Sequence, residues 1–84
     1  MLVKSSVTSD GQMQFLFDSK KECNEGWKIL KVCGQFTGGY YNKINEDSGI
    51  IITPDQPQFL ISHLSYYISK LSDSGFEVES INNT

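Results

Sequence analysis

Residues 3–17, Val3-Lys4-Ser5-Ser6-Val7-Thr8-Ser9-Asp10-Gly11-Gln12-Met13-Gln14-Phe15-Leu16-Phe17, decide the architecture. Two short runs of strand formers flank Asp10-Gly11, which is the signature of a hairpin. Burial selects the register. A two-residue loop at Asp10-Gly11 pairs Val7 with Gln14 and Ser6 with Phe15. That sends the apolar residues of the two strands to opposite faces. A three-residue loop, Ser9-Asp10-Gly11, pairs Val7 with Met13, Ser5 with Phe15 and Val3 with Phe17. One face then holds Val3, Val7, Met13, Phe15 and Phe17. A one-residue slip turns every side chain over, so the second register is expected. Gly11 takes the left-handed position that a three-residue hairpin requires.

Downstream of this hairpin, Ser19-Lys20-Lys21-Glu22 has the spacing of a capping box. Gly26 follows as a stop, so residues 19–25 read as a short helix. Trp27 to Phe36 is rich in strand formers. Trp27, Ile29 and Cys33 point one way, and Leu30, Val32 and Phe36 the other, as in a central strand. Gly38-Gly39 turns the chain. Tyr40–Ile44 and Ile50–Thr53 read as a second hairpin around residues 45–49. Thr53-Pro54-Asp55-Gln56 carries a cap, a proline for the first helical position, an acidic residue for the dipole and a box partner. Leu60, Ile61, Leu64, Tyr67, Ile68 and Leu71 then recur at helical spacing as a core stripe. Gly75 ends that helix, and Phe76 to Glu79 alternate as a last strand. The order is β-β-α-β-β-β-α-β. It predicts an α+β fold, a two-layer sandwich of a mostly antiparallel five- or six-stranded sheet with one long helix packed on one face.

Residues 1–84 are read as a single globular domain, since 84 residues leave no room for two. The five Phe, four Tyr and one Trp are an aromatic load that disordered chains lack. Seven Lys against ten Asp and Glu give a net charge of −3, and no cation is Arg. Without the bidentate fork of Arg, and with net negative charge, direct nucleic-acid binding is disfavoured. Charge is also uneven. Residues 1–43 balance to +2 (six Lys, four acids) and residues 44–84 to −5 (one Lys, six acids). An acidic half can steer a basic partner, although solubility alone also explains it. No apolar run approaches the roughly 20 residues of a membrane span. Met1-Leu2-Val3-Lys4-Ser5-Ser6 is no secretory signal. A cytoplasmic chain with Cys23 and Cys33 as free thiols is therefore expected, a disulfide between them being the alternative. No zinc spacing is present, and no metal or cofactor is expected.

Catalysis needs a nucleophile or base, an orienting group and a site for developing charge. His63 has Phe59, Leu60, Tyr66 and Tyr67 at helical spacing and no carboxylate. Cys23 follows Lys20 and Lys21, which could lower its pKa, but packing explains a small cysteine as well. Gly34-Gln35-Phe36-Thr37-Gly38-Gly39 lacks the Lys-Ser/Thr of a phosphate loop. Glu77 and Glu79 alternate as residues of a solvated strand do. No catalytic residue is assigned, and the chain is not read as an enzyme.

The long helix carries the sharper signal. From Gln56 to Ser69 it has no charged side chain. Opposite its core stripe stand Ser62, Ser65, Ser69 and Ser72, bordered by Phe59, His63 and Tyr66. An ordinary solvent face favours Lys and Glu, and Ser is a mediocre helix former. Phe59, Ser62, His63, Tyr66 and Ser69 are therefore the candidate protein-binding residues, for another protein or for a second copy in a homodimer. A surface biased by an AT-rich genome is the bland alternative. Gly38, Gly39, Tyr40 and Tyr41 form a second candidate, a small-molecule or nucleotide site, since an exposed Tyr beside a glycine turn resembles paratope chemistry. The leading expectation is a non-catalytic protein-binding module that occludes or bridges a macromolecular partner, as small intracellular regulators and phage-type inhibitors of host machinery do.

Overall fold

A computed structural model of the chain describes residues 1–80, with the side chains of 34–37 outside the description. Five strands and two helices follow in the order β1 (Leu2–Val7), β2 (Met13–Phe17), α1 (Lys20–Thr37), β3 (Tyr40–Ile44), β4 (Gly49–Thr53), α2 (Leu60–Asp73) and β5 (Glu77–Ser80). A single 3-10 turn, Pro57–Phe59, leads into α2. The fold is α+β, with the strands in the order β3-β4-β2-β1-β5. The sheet is mixed. All its pairs are antiparallel except β1 with β5, which run parallel because the chain crosses over through α2 before adding β5.

The first hairpin adopts the register that burial selects: Val3 opposite Phe17, Ser5 opposite Phe15, Val7 opposite Met13. Its loop is Ser9-Asp10-Gly11. The Thr8 amide donates to the Gln12 carbonyl at 2.8 Å, and Gly11 has φ of 79°. Val3, Met13, Phe15 and Phe17 are buried with Ile50 and Ile52 on one sheet face. Both helices supply the other half of that core through Cys23, Leu30, Cys33, Tyr67 and Leu71.

The strand expected over Trp27–Phe36 is instead the continuation of α1. Ser19 does cap the helix, accepting the Glu22 amide at 3.2 Å on its hydroxyl. Gly26, however, does not stop it. A Cβ there would lie 2.4 Å from the Phe17 ring. Gly26 is thus a packing glycine, present so that helix and sheet can approach, and α1 runs on to Thr37. The left-handed Gly38, φ 73°, ends it. Cys23, Gly26, Leu30 and Cys33 line the buried side at spacings of three, four and three, which is a helical stripe. Val32 points to solvent. The face assigned to Phe36 falls on a side chain outside the described residues. The five-strand option, not the six-strand one, is what remains.

The second long helix also begins differently. Thr53 is the last residue of β4, and its hydroxyl accepts the Gln12 side-chain amide at 2.9 Å instead of capping. Pro57 occupies the first helical turn. At the other end the chain behaves as expected. Gly75 has φ of 98°, its amide donates to Ser72, and the Phe76 amide donates to Leu71 at 3.0 Å. These two bonds are a Schellman closure.

Both sheet edges are blunted. On β3, Lys43 points inward, bonds Asn24 at 2.7 Å and lies 5.3 Å from the Trp27 ring centre. On β5, Glu77 and Glu79 are exposed. Inward or flanking charge on an edge discourages a further strand. The hairpin joining β3 to β4 turns through three successive left-handed residues, Asn45, Glu46 and Asp47, with φ of 52°, 56° and 68°. Each is strained, and Glu46 has no side-chain reason to adopt that conformation.

Two substitutions check this packing by urea unfolding. Gly26→Ala, which in an open helix stabilises, is expected to cost about 1–3 kcal/mol here through overpacking of Phe17. Most of that loss should vanish in a Phe17→Leu background. Glu46→Gly is expected to stabilise by about 1 kcal/mol through relief of the left-handed strain.

Candidate protein-binding face

Helix α2 lies on the sheet through Leu60, Leu64, Tyr67 and Leu71, at spacings of four, three and four. Tyr67 is the anchor. It is fully buried, meets Phe15 edge-on with ring centres 6.4 Å apart, and shares a 2.6 Å hydroxyl contact with Tyr41 of β3. Through Tyr41 the aromatic packing continues to Trp27 of α1, again edge-on at 6.4 Å. Such edge-to-face pairs fix ring orientation as well as burying area. The rotation of α2 is thereby set, and with it the side that faces water.

That outer side carries Ser62, Ser65, Ser69 and Ser72, all exposed. Ile61 joins them at 66% exposed, although the apolar stripe placed it in the core. Each helical residue turns the helix by about 100°. Ile61 therefore sits a quarter-turn or more from the line through Leu60, Leu64 and Tyr67. Counting angles instead of apolar letters would have found it.

The other candidates run along one flank of the helix, from Phe59 in the 3-10 turn to Ser69. Phe59 is 42% exposed and stacks on the His63 ring at 5.4 Å and 20°. His63 is half-buried, and its Nδ1 is enclosed without a hydrogen-bond partner among the described residues. Its neighbours are aromatic, Phe59 and Tyr67. Tyr66 is half-buried, edge-on to Tyr67, with the Lys70 ammonium 5.6 Å from its ring centre. Ser69 is exposed, and the Ser62 hydroxyl donates back to the Phe59 carbonyl at 3.2 Å. The structure thus brings Phe59, Ser62, His63, Tyr66 and Ser69 onto one continuous surface, part exposed and part half-buried.

The glycine-turn residues are arranged otherwise. Tyr41 pairs with Ile52 and faces the helices, whereas Tyr40, paired with Thr53, is 72% exposed on the uncovered sheet face. The two phenols diverge. Gly38 closes α1, and a Cβ on Gly39 would meet the Thr53 carbonyl at 2.5 Å. These glycines serve a helix end and a close backbone approach. Glu77 and Glu79 lie on the uncovered face, with Glu79 beside Lys4 on β1.

Among the described residues no three His, Cys, Asp or Glu side chains cluster as a metal site would require. No helix among them is long and apolar enough to cross a membrane. The chain matches no protein-family model and none of the curated proteins compared with it.

Cys23 and Cys33 are both buried, and no disulfide joins them. Ten residues of one helix hold them about 15 Å apart, beyond the roughly 7 Å that a disulfide can span. Burial pushes both thiols up from their ordinary value, partly offset by Lys43 at Cys23 and by Lys70 at Cys33. A raised value means that the folded state holds these protons more tightly than the unfolded chain. Their contribution is complete below the ordinary thiol range and is lost as pH rises through it. Thermal melting should therefore show stability falling above about pH 8.5, with a shallower fall in Cys23→Ala. Alkylation of the native protein should be slow at both positions until it unfolds.

Proposed function

We propose that this chain is a non-catalytic protein-binding module that docks through the outer face of α2 and acts by occluding or bridging its partner. One comparison within the molecule supports the reading. Helices α1 and α2 cover the same sheet face, and each shows one side to water. The exposed side of α1 carries Lys20, Lys21, Glu25, Lys28 and Lys31. The exposed side of α2 carries no charge before Lys70. A compositional bias of the genome would act on both helices alike. The contrast instead follows the surface, as expected if α2 is covered during function and α1 is not. Interface centres are depleted in charge and enriched in aromatic anchors, and Phe59, Tyr66 and the exposed Ile61 meet that description. Small serines between them permit close approach. Two buried thiols that no disulfide joins accord with a reducing compartment such as the cytoplasm. The mode of action matches that of small regulators and phage-type inhibitors of larger machinery, which work by contact and not by chemistry.

The test is photo-cross-linking in an extract of the native host. A benzoylphenylalanine placed at Ser65 or Ser69 is expected to give a discrete protein adduct, and one placed at Lys28 on α1 is expected to give none. Equal adducts from both helices, or none from either, would remove the proposal.

A further inference from the structure

We propose that Trp27, Tyr41, Tyr67 and Tyr66 form a path for one-electron oxidation, which enters at the indole on α1 and ends as a radical on the Tyr66 phenol of α2. Four rings follow one another in contact. Trp27 meets Tyr41 edge-on with ring centres 6.4 Å apart, Tyr41 meets Tyr67 at 6.3 Å, and Tyr67 meets Tyr66 at 6.2 Å. Each separation lies within the roughly 4.5–7 Å of paired aromatic rings. The middle joint is also bridged by the 2.6 Å contact between the Tyr41 and Tyr67 hydroxyls. Electrons pass readily between π systems this close, so an electron lost at one end is replaced from the other. These rings lie beneath the docking face, and what that face binds does not bear on them.

Charge sets the direction. Trp27 is half-buried and is the single tryptophan of the chain, so an oxidant meets it from the surface. Removing an electron from an indole leaves a radical cation. The ammoniums of Lys31 and Lys43 stand 5.7 and 5.3 Å from the Trp27 ring centre. They favour the electron-rich ring and repel the oxidised one. A phenol escapes that penalty, because on oxidation it sheds its hydroxyl proton and becomes a neutral radical. The oxidised site therefore moves from Trp27 to the tyrosines.

Exposure sets the end of the path. Tyr67 is fully buried, whereas Tyr66 is half-buried on the water side of α2. There the solvent takes the proton. The Lys70 ammonium, 5.6 Å from the Tyr66 ring centre, does not oppose a neutral radical. Tyr66 thus gives up one electron and one proton, the electron refills Trp27, and the proton goes to water. The oxidant comes from outside the protein. It is a one-electron acceptor of the class of inorganic and peroxyl radicals, and it is reduced to its anion. Tyr40 lies off the path, next to Tyr41 in the chain but on the opposite face of the sheet.

Pulse radiolysis tests the path. The azidyl radical is the oxidant, because it takes an electron from indole in preference to phenol and leaves as azide. In the wild type, indolyl absorbance is expected to decay while phenoxyl absorbance rises, at a rate independent of protein concentration. Tyr41→Phe keeps a ring in place but not an oxidisable one, and it should suppress the rise. Tyr40→Phe should leave the rise unchanged. With a nitroso spin trap present, peptide mapping should find the adduct on Tyr66 of the wild type and lose it in Tyr67→Phe. Circular dichroism shows that each variant is folded. A wild type whose indolyl radical decays with no phenoxyl rise overturns the inference, and so does an adduct on Tyr40 in place of Tyr66. Both results are read on the unaltered chain, whatever the variants do. A rise that survives in folded Tyr41→Phe, or a Tyr66 adduct that survives in folded Tyr67→Phe, overturns it as well.

Discussion

The contact between Phe17 and the bare backbone at Gly26 governs how the rest of the molecule is assembled. A helix normally rides above a sheet at a distance set by side chains on both. Here one position of α1 has no side chain, and the Phe17 ring fills the space where a Cβ would be, with its edge turned to Phe76 at 5.5 Å. The close approach seats Cys23, Leu30 and Cys33 in the core and swings Trp27 over the edge strand β3. With β3 so covered, Lys43 can point inward without being buried alone, bonded to Asn24 and facing the Trp27 ring. Tyr41 then reaches Tyr67, and α2 takes its rotation from that contact.

The functional proposal descends from this geometry. Once Tyr67 is held between Phe15 and Tyr41, the helical repeat leaves no choice about which residues face outward. They are the serines and Ile61, on a helix whose neighbour shows lysines in the same setting. Helix α1 keeps an ordinary solvated surface, including the exposed Glu25–Lys28 pair at 3.7 Å, the kind of contact that adds little stability. The distinction between the two helices concerns what meets them, since both perform the same structural task against the same strands.

Much of this was legible in the residues alone, and the failures share a cause. The register of the first hairpin follows from alternation, because only one pairing gathers Val3, Met13, Phe15 and Phe17 on one face. The left-handed stop at Gly75 and the uncharged run of α2 are equally local. Gly26 was misread because the same residue type ends helices and admits close neighbours, and only the neighbour distinguishes the two. With the helix ended at Gly26, Trp27 to Phe36 reads as a strand from its content of strand formers. The stripe of Cys23, Gly26, Leu30 and Cys33 was present in the letters, but one of its four members, Gly26, has no side chain to be counted as core. Thr53 failed as a cap for a similar reason: a partner 41 residues away, Gln12, takes its hydroxyl.

The sequence by itself determined the hairpin register, the class of fold, the α2 core line and the lack of charge along that helix. Each depends on spacing between near neighbours, which a chain carries wherever it goes. Tertiary structure decided that α1 runs through Gly26, that β5 joins β1 in parallel, and that Tyr41 and not Tyr40 is the one that faces the helices. Those outcomes depend on which distant surface arrives opposite a residue, and a linear order of side chains does not contain that distance.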